Sequence, residues 1–191
     1  MTIRCPFAKE SETFYIDYHD HEWGVPIHND RDHFELLILE GFQAGLSWAI
    51  ILKRREAFRA AFHHFDPEKV AQMTDQELKT LEKNQAIIRN RRKIAATREN
   101  AHVFLRTQKE WGSFDKYVWP FIGGKPKINP WEKWEDVPCL SDESKALSQD
   151  LKKRGMIFVG PKIIYSYMQA AGLINDHLTS CFCKRSNDET T

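Results

Sequence analysis

The chain has 191 residues, 41% of them hydrophobic, and a formal net charge of +1. This length supports one packed core, or two lobes that share a cleft, and we expect one helical domain over 1–183 followed by a flexible tail at 184–191. The balanced charge excludes a nucleic-acid binder that depends on overall basicity, so any such contact would use local basic patches.

The N-terminus lacks the basic and then apolar pattern of a secretory signal, and no apolar run approaches the roughly 18 residues of a membrane span. The sequence therefore predicts neither export nor membrane insertion, and a cytoplasmic protein is expected. In a reducing compartment its cysteines would be thiols or metal ligands. No feature of the sequence indicates a dimer, so a monomer is expected.

Apolar periodicity predicts helices over 31–47 and 49–62. Pro67 is placed for the first turn of another helix, where its missing N–H and fixed φ are tolerated. Thr74 and Glu77 have the spacing of a capping box at the start of the next one. These repeated short helices leave little room for a sheet, and the predicted fold class is all-α.

A longer helix is predicted over 85–109, with apolar residues on one face and cations on the other. The segment 123–141 then contains two adjacent glycines and three prolines, which predicts a surface loop. Its Trp131 and Trp134 are interpreted as plugs that fasten the loop to the body of the protein. A platform on which bases stack is the alternative.

Two helices joined by a tight turn are indicated by SDESKALSQDLKKRGMIFVGPKIIYSYMQAAG. The first ends at Gly155, and the second begins with Pro161 and closes at Gly172. Free backbone N–H groups at the start of the second helix, together with its dipole, would form a seat for a phosphate. Such a turn also occurs only to pack helices together, and the sequence alone leaves both interpretations open.

Two Cys–His pairs near the ends of the chain are candidates for a metal site. They are Cys5 with His19, and His177 with Cys181. His177 and Cys181 would share one face if their stretch is helical, and two thiolates with two imidazoles satisfy a tetrahedral zinc site. The alternative is chance occurrence of these residue types. At this point His21 rivals His19, and Cys183 rivals Cys181.

Such a metal site would be structural, because four protein ligands leave no open coordination position. The two pairs are separated by 157 residues, 20 to 176 inclusive. A link that closes so long a loop removes denatured-state entropy worth roughly 4 to 5 kcal/mol. We therefore expect one zinc ion per chain, holding the two ends together.

Glu40 lies in LEGFQAGLSW, a run of apolar and small residues that is expected to be buried. A carboxylate kept from water is costly unless it meets a donor or a cation. Two interpretations remain from the residues alone. Glu40 is either a recognition group in a ligand site or an ordinary helix carboxylate paired with a neighbour such as Lys53.

Several stretches, in this order, resemble the bacterial type I 3-methyladenine DNA glycosylases. They are YIDYHDHEWGVP, LEGFQAGLSWAIILKRREAFRAAF, FDPEKVAQM and RGMIFVGPKIIYSYMQAAGLINDH, with the terminal Cys and His pairs. The resemblance runs from Cys5 to about Cys183. It implies a largely helical protein of the helix-hairpin-helix DNA glycosylase superfamily, in which zinc joins the termini. It also implies repair of double-stranded DNA by hydrolytic removal of 3-methyladenine.

The resemblance further implies roles for single residues. The zinc ligands of the family fall on Cys5, His19, His177 and Cys181. Its base-binding residues fall on Glu40, Tyr18 and Trp48, with Tyr15 and Trp23 close by. The stretch Gly45–Leu46 matches the part of the family that enters the space vacated by a flipped nucleotide.

Under this interpretation Trp48 and Tyr18 hold the flipped base between rings, and Glu40 reads its positive charge and exocyclic amine. Phosphate contacts are expected around the tight turn and its lysines. These residues are Gly155, Gly160, Lys152, Lys153 and Lys162.

The family is described as lacking the catalytic aspartate used elsewhere in its superfamily. The nearest candidate here is Asp176, for which a place beside His177 favours a structural role. No pocket lysine can be named, Lys53 being the nearest in sequence, so we predict a monofunctional enzyme that leaves an abasic site. A non-catalytic binder of alkylated DNA and a zinc-dependent hydrolase are the alternatives.

Overall fold

Helices make up most of residues 2–9 and 12–184, the part of the chain that this computed structural model describes. Apart from Lys184, the predicted tail lies outside the described residues. The helices are α1 (Thr13–His21), α2 (Asp30–Gln43), α3 (Trp48–Leu52), α4 (Arg55–Ala61), α5 (Pro67–Ala71), α6 (Asp75–Leu81), α7 (Arg91–Trp111), α8 (Phe114–Val118), α9 (Asp142–Arg154) and α10 (Pro161–Ala170), with 3-10 turns at His63–Phe65, Trp119–Ile122 and Trp134–Asp136. No helix in the described part is both long and apolar enough to cross a bilayer.

α2 is the central helix of the core. It starts at Asn29, whose side chain accepts hydrogen bonds from backbone N–H groups of the first turn. Every residue from His33 to Phe42 is buried, so the helix is covered on all sides, with α3, α7 and α10 against it. Nδ1 of His33 lies 2.7 Å from the hydroxyl of Tyr167 on α10, which joins the two helices by a buried polar contact.

The predicted helix over 31–47 is too long at its C-terminal end. α2 ends at Gln43, and Gly45 adopts a φ of +82°, which a continuing right-handed helix does not allow. Residues 44–47 therefore form an exposed turn, called the 44–47 turn below. This turn brings the chain from α2 into α3 and places the predicted Gly45–Leu46 pair at the surface.

Two further helix boundaries differ from the prediction. The helix predicted over 49–62 divides into α3 and α4 at Arg54, whose guanidinium donates to two backbone carbonyls of the segment before α7. The helix predicted over 85–109 begins only at Arg91. Asn84 and Asn90 explain this, because each side chain accepts a hydrogen bond from a backbone N–H two or three residues ahead and so holds a turn or a helix start.

The predicted starts of α5 and α6 are confirmed. Pro67 occupies the first turn of α5. Thr74 and Glu77 form the predicted capping box of α6, with the Glu77 carboxylate accepting from the Thr74 N–H at 2.7 Å and the Thr74 hydroxyl accepting from the Glu77 N–H at 3.2 Å. Local side chain to backbone chemistry therefore sets both helix starts.

The segment 123–141 is mostly loop, as predicted, but it adds one strand to an otherwise helical protein. β1 (Lys127–Ile128) pairs in parallel with β2 (Ile174–Asn175), so the strict all-α prediction needs this correction. The pairing joins distant segments, which local periodicity cannot report. Trp131 fastens the loop as expected, because its indole N–H donates to the Asp176 carboxylate at 2.7 Å.

α9 and α10 flank residues 155–160, called the hairpin loop below. α9 begins after Ser141, whose side chain accepts from a backbone N–H of the first turn. It ends at Gly155, whose φ of +101° suits a left-handed cap, and α10 restarts with Pro161 in its first turn. α9 and α10 pack against each other, so the helix, tight turn and helix predicted from the sequence are present.

Gly172 closes the turn after α10 and leaves no room for a side chain. Its φ is +68°, and an added Cβ would lie 2.2 Å from the backbone of Val25 and Pro26. We expect Gly172→Ala to lower the free energy of unfolding by at least about 2 kcal/mol, because strain and overlap add. Urea denaturation followed by circular dichroism measures the loss.

Gly124→Ala is the matched control. Gly124 has a similar φ of +77°, but no atom lies within 4 Å of an added Cβ. Only the backbone strain of about 1 kcal/mol is expected there. Equal losses in the two variants would show that the contact with residues 25–26 does not constrain Gly172.

Candidate functional site

An aromatic cavity opens between α1, the C-terminal half of α2, the start of α3 and one face of α10. It encloses about 200 Å³, which is room for a single planar base. The residues that line it are Phe7, Tyr15, Tyr18, Trp23, Glu40, Gln43, Trp48, Trp134, Ser166 and Gln169. All five residues predicted for base binding, at positions 15, 18, 23, 40 and 48, are therefore brought together.

Among the residues that the structure describes, Glu40 is the one carboxylate in the wall of this cavity. Its residue is 2% exposed, and its Oε2 has no hydrogen-bond partner among the described residues. Burial alone raises the pKa of Glu40 well above its usual range. The alternative pairing with Lys53 is wrong, because Lys53 lies 3.7 Å from Glu12 and over the ring of Phe14.

A second buried carboxylate on α2 shows how unusual Glu40 is. Glu35 is 5% exposed, but it accepts hydrogen bonds from Arg55 at 2.5 Å and from Arg59 at 2.8 Å. The same helix thus carries one carboxylate that the fold neutralises and one that it leaves with an open oxygen. A buried acceptor that lacks a donor is a group prepared for a ligand.

Aromatic rings form the walls beside Glu40. The ring centroids of Tyr18 and Trp48 lie 5.6 Å apart, and Trp23 meets Phe7 edge to face at 4.9 Å. The Trp48 indole N–H is also buried without a partner among the described residues. Burial, and then the nearby charge of Glu40, raise the pKa of the Tyr18 phenol well above its usual range, so this ring stays neutral. Such walls suit a flat ring that carries positive charge or N–H donors.

Four residues of the lining were not predicted from the sequence, and Trp134 lines the cavity in addition to its predicted role. The missed residues are Phe7, Gln43, Ser166 and Gln169. Gln43 follows Glu40 by three positions on α2, and Ser166 and Gln169 are three apart on α10, so shared helix faces were the available signal. Trp134 does fasten its loop, through ring contacts of 5.4 Å with Phe7 and 6.2 Å with Trp23, but it also lines the cavity.

The four predicted metal ligands meet in a second buried cluster. Cys5, His19, His177 and Cys181 have ligand atoms within 4.8 Å of one another. The Cys181 Sγ lies 3.4 Å from Nε2 of His19 and from Nδ1 of His177, and the Cys5 Sγ lies 3.6 Å from the same Nδ1. A tetrahedral zinc ion holds neighbouring sulfur and nitrogen ligands roughly 3.6 Å apart. The donor set and its spacing therefore fit zinc.

The rival ligands lie outside this cluster. The side chain of His21 is 73% exposed, 3.9 Å from Asp17. The Cys183 Sγ lies 3.9 Å from Nδ1 of His19. This ring nitrogen lies 2.7 Å from the Asp20 carboxylate and faces away from the cluster. Residues 177 and 181 do not share a helix face, because that segment forms turns and the helical condition for such a face is not met. A turn brings the two side chains together instead.

Neighbouring groups prepare the cluster for a cation. Hydrogen bonds from the Cys5 thiol, and then from His177 and His19, lower the pKa of the Cys181 thiol well below its usual range, which favours the thiolate form. Arg4 holds the Asp20 carboxylate with bonds of 2.8 and 2.7 Å, and that carboxylate orients the His19 ring. An imidazole held by a carboxylate on its outer nitrogen is typical of metal ligands.

The cluster of Cys5, His19, His177 and Cys181 shares a wall with the aromatic cavity. The ring of His177 meets Trp23 edge to face at 4.6 Å, and its Nε2 lies 2.9 Å from the Trp23 carbonyl oxygen. A Cβ added to Gly24 would stand 3.1 Å from the same His177 ring. The position of Trp23 in the cavity wall is therefore fixed by a cluster residue.

Asp176 has the structural role expected for it. Its Oδ1 accepts hydrogen bonds from Asn129 and Trp131 of the long loop, both at 2.7 Å. Its Oδ2 accepts from Tyr165 at 2.6 Å and from Gln169 at 2.7 Å, both on α10. A fully buried carboxylate with four donors has no oxygen left to take a proton from water.

The predicted DNA-contacting residues cluster around the hairpin loop. Lys152 and Lys153 end α9, Lys162 lies in the first turn of α10, and all three are exposed. No side chain caps the start of α10 at Gly160, and a Cβ there would meet nothing within 4 Å. The backbone N–H groups of the first turn of α10 are therefore open to an anion.

Comparison with known proteins agrees with this geometry. A model of the family described as methyladenine glycosylase matches residues 8–184. A DNA-3-methyladenine glycosylase of Haemophilus influenzae is 45% identical over 186 residues, covering 97% of this chain and 100% of that protein.

Solved structures of similar proteins have the same fold as this chain. A crystal structure of 3-methyladenine DNA glycosylase I has a TM-score of 0.93 at 46% identity, covering 96% of this chain and 100% of that one. A variant of 3-methyladenine DNA glycosylase I in complex with 3-methyladenine has a TM-score of 0.92 at 40% identity, covering 96% and 98%. The resemblance seen in the sequence motifs is confirmed, and the chain belongs to the methyladenine glycosylase family.

Proposed function

We propose that this protein is a DNA glycosylase that flips 3-methyladenine out of a duplex and hydrolyses its bond to the sugar. The observation that carries the proposal is the Glu40 carboxylate, buried among rings with an open acceptor oxygen. A 3-methylated adenine is positively charged while attached to deoxyribose and presents an exocyclic amine. Its charge and its N–H donor complement the cavity, and the relatives named above carry the same activity in their names.

Most of the rate enhancement would come from binding the charged base. When the bond between the base and C1′ breaks, the electron pair of that bond moves to the base and neutralises its positive charge. A water molecule adds to C1′, and this water loses a proton to solvent. The leaving group is already activated, so no general acid is required. Tyr18 and Trp48 would stack on the ring, and Glu40 would stabilise the cation by a charge-assisted hydrogen bond once it is ionised.

Extrusion of the base needs something to fill its place in the stack. The 44–47 turn is exposed next to the cavity-lining residue Trp48, and Leu46, at 38% exposure, is its large apolar side chain. Gly45 lets the turn project, because no atom lies within 4 Å of its missing Cβ. We assign Gly45 and Leu46 to the wedge that enters the duplex.

The enzyme is proposed to be monofunctional, because the described cavity wall contains no lysine that could form a Schiff base with the sugar. Lys53 contacts Glu12, and the buried Lys93 donates to backbone carbonyls at the C-terminal end of α2 without lining the cavity. Hydrolysis would leave an abasic site with its backbone intact. A borohydride-trapped adduct between protein and DNA would contradict this proposal.

We further propose that Cys5, His19, His177 and Cys181 hold one structural zinc ion. Bound there, zinc would supply a cross-link and no Lewis-acid chemistry, since four protein ligands close its coordination shell. The thiolate of Cys181, the spacing of the donors and the Asp20 contact to His19 support this assignment.

Phosphate contacts at the hairpin loop predict a measurable salt dependence. We expect Lys152→Gln to weaken duplex binding to a similar extent for all sequences and to reduce the slope of log K against log salt by about 1. Lys145→Gln, at the opposite end of α9 where Lys145 contacts Asp142 at 2.8 Å, is the control and should leave the slope unchanged. Fluorescence anisotropy at several salt concentrations measures both.

Release of free base from methylated duplex DNA tests the proposed function directly. Chromatography of the supernatant should detect 3-methyladenine, and comparison with 7-methylguanine gives the selectivity. If the protein bound alkylated DNA but released no base, the non-catalytic alternative would replace the proposal. Release that stopped at once on chelation, before any loss of fold, would instead indicate a zinc-dependent hydrolase.

A further inference from the structure

α7 carries two buried polar side chains that reach other segments of the chain. Thr97 and Thr107 are also buried, but their hydroxyls donate to carbonyls of α7 itself. Lys93 and Asn100 instead bond to the ends of two different loops. They are seven residues apart, which places them on one face of the helix about 10 Å from each other.

Lys93 holds the end of α2 at the 44–47 turn. Its Nζ donates to the Phe42 carbonyl at 2.8 Å and to the Ala44 carbonyl at 2.7 Å. α2 has no basic residue in its own last turn, so the cation that complements its C-terminal dipole comes from α7. Burial lowers the pKa of Lys93, and the two carbonyls offset part of that cost. The two hydrogen bonds from Lys93 therefore fix the backbone at the start of the turn that carries Leu46.

Asn100 holds the hairpin loop. Its Nδ2 donates to the Ile157 carbonyl at 2.9 Å, and its Oδ1 accepts from the Ile157 N–H at 2.8 Å. The next residue, Phe158, has a φ of +60°, which is costly for a non-glycine residue and persists only where neighbours impose it. The two-point contact with Asn100 supplies that constraint.

The two fixed loops also touch each other through these residues. The Nζ of Lys93 lies 5.7 Å from the centroid of the Phe158 ring. A Cβ added to Gly41, next to Glu40, would lie 3.5 Å from Phe158. The end of α2, the hairpin loop and α7 thus form one contiguous contact.

We propose that Lys93 and Asn100 are positioning residues that hold the 44–47 turn and the hairpin loop at a fixed separation, so that both engage one duplex together. This inference rests on the proposed function, in which the turn enters the base stack and the loop binds phosphates. Neither residue lines the aromatic cavity. Their effect would be on flipping, since a displacement of about 1 Å between two such contacts can cost on the order of 10²-fold in rate.

Matched variants separate positioning from general stability. Lys93→Met keeps a long apolar side chain but removes the ammonium, and Lys93→Arg restores donors. Asn100→Asp keeps the acceptor for the Ile157 N–H but loses the donor. Arg98→Met is the control on the same helix, because Arg98 also donates to a backbone carbonyl, that of Met73 at 2.9 Å, away from both loops.

Hydrogen exchange tests the geometry without any assay of activity. In Lys93→Met, amide exchange in residues 44–47 should accelerate at least tenfold, and in Asn100→Asp the same should hold for residues 156–159. Arg98→Met should accelerate neither segment. If exchange in these segments stays at the wild-type rate, the two residues do not position the loops and the proposal is wrong.

Kinetics test the consequence for duplex DNA. We expect Lys93→Met to slow single-turnover release of 3-methyladenine from duplex about tenfold or more, while its affinity for free 3-methyladenine changes by less than about threefold. Lys93→Arg should recover most of the duplex rate. Parallel losses in duplex release and free-base affinity would overturn the positioning role. Failure of the wild-type protein to release base would instead reject the proposed function, and hydrogen exchange would still decide the structural claim.

Discussion

Glu40→Gln is expected to lower excision of 3-methyladenine by about 10²- to 10³-fold and, at neutral pH, to make the free protein more stable than the wild type. The two effects have one cause. Glu40 is buried with an open oxygen, and no lysine or arginine is among the described residues that line its cavity. Its desolvation therefore lowers the stability of the free protein, and a bound ligand would offset that cost.

The loss of activity follows from charge. A glutamine at this position keeps an acceptor oxygen of similar placement but cannot neutralise the cationic base. Removing one preorganised electrostatic contact to a reacting group typically costs 10² to 10³ in rate. The stacking provided by Tyr18 and Trp48 would remain, so free 3-methyladenine should still bind, more weakly.

The gain in stability follows from the direction of the pKa shift. Burial raises the pKa of Glu40 in the folded state above its value in the unfolded chain. The folded state then binds more protons than the unfolded state between these two pKa values, so the stability of the wild type falls as pH rises through that range. Glutamine does not titrate. The advantage of Glu40→Gln should therefore be absent below about pH 4 and grow as pH rises.

Glu35→Gln is the matched control, with the same chemical change on the same helix. Glu35 is paired with Arg55 and Arg59, so its replacement removes the buried anion that the two guanidinium groups share, leaves them only the more exposed Glu22 and Glu56, and should lower stability. Urea denaturation at pH 5 and pH 8 measures both variants, and single-turnover base release measures activity. An unchanged excision rate in Glu40→Gln would refute the recognition role, and a loss of stability like that of Glu35→Gln would refute the account of its burial.

Local chemistry made much of the fold predictable from the sequence. The capping box at Thr74, Pro67 at the start of α5 and the Gly155 cap of α9 are each set by residues within a few positions, and each is found where predicted. The errors in helix bounds have equally local causes. Asn90 caps α7 six residues later than the apolar pattern suggests, because its side chain competes for the backbone N–H groups.

The candidate site could be predicted only in part from the sequence, because its residues come together through tertiary packing. Burial of Glu40 follows from the apolar run around it, but the contrast with Glu35 depends on arginines of α4, twenty residues further on. Phe7 and Gln169 come from opposite ends of the chain and gave no signal of a shared cavity. Spacing suggested a shared helix face for residues 177 and 181, but residues 177–181 turn rather than form a helix, and the turn itself brings the two side chains together.

Loss of the proposed zinc ion is expected to cost roughly 4 to 5 kcal/mol of stability, the largest effect of any change considered for this chain. The ion would tie segments that are 157 residues apart in sequence, 20 to 176 inclusive. Cys181→Ser removes the thiolate that contacts both histidines, at 3.4 Å each. The free energy of unfolding of a typical domain is about 5 to 15 kcal/mol, so the melting temperature of this variant should lie far below that of the wild type.

The other cysteines are controls for this prediction. Cys139 is exposed, so Cys139→Ser should change neither zinc content nor melting temperature. Cys183→Ser tests the rival ligand. A stoichiometric zinc ion should remain, because the Cys183 Sγ lies 3.9 Å from the Asp20 carbonyl oxygen and from Nδ1 of His19, the nitrogen that the Asp20 carboxylate engages, whereas Nε2 of the same ring faces the cluster. Elemental analysis showing no zinc in the purified wild type would refute the metal assignment.

The contact between His177 of the cluster and Trp23 of the cavity predicts which property of the protein changes first when a chelator removes the metal. His177 fixes Trp23 through a ring contact and a 2.9 Å contact to its carbonyl oxygen. If zinc has only a structural role, a chelator should first lower the melting temperature and weaken binding of free 3-methyladenine, because Trp23 loses its support. Excision by the protein that remains folded should fall only in proportion to that binding. Complete loss of excision with base binding and fold intact would place the metal in the reaction, and four closed ligands could not explain that outcome.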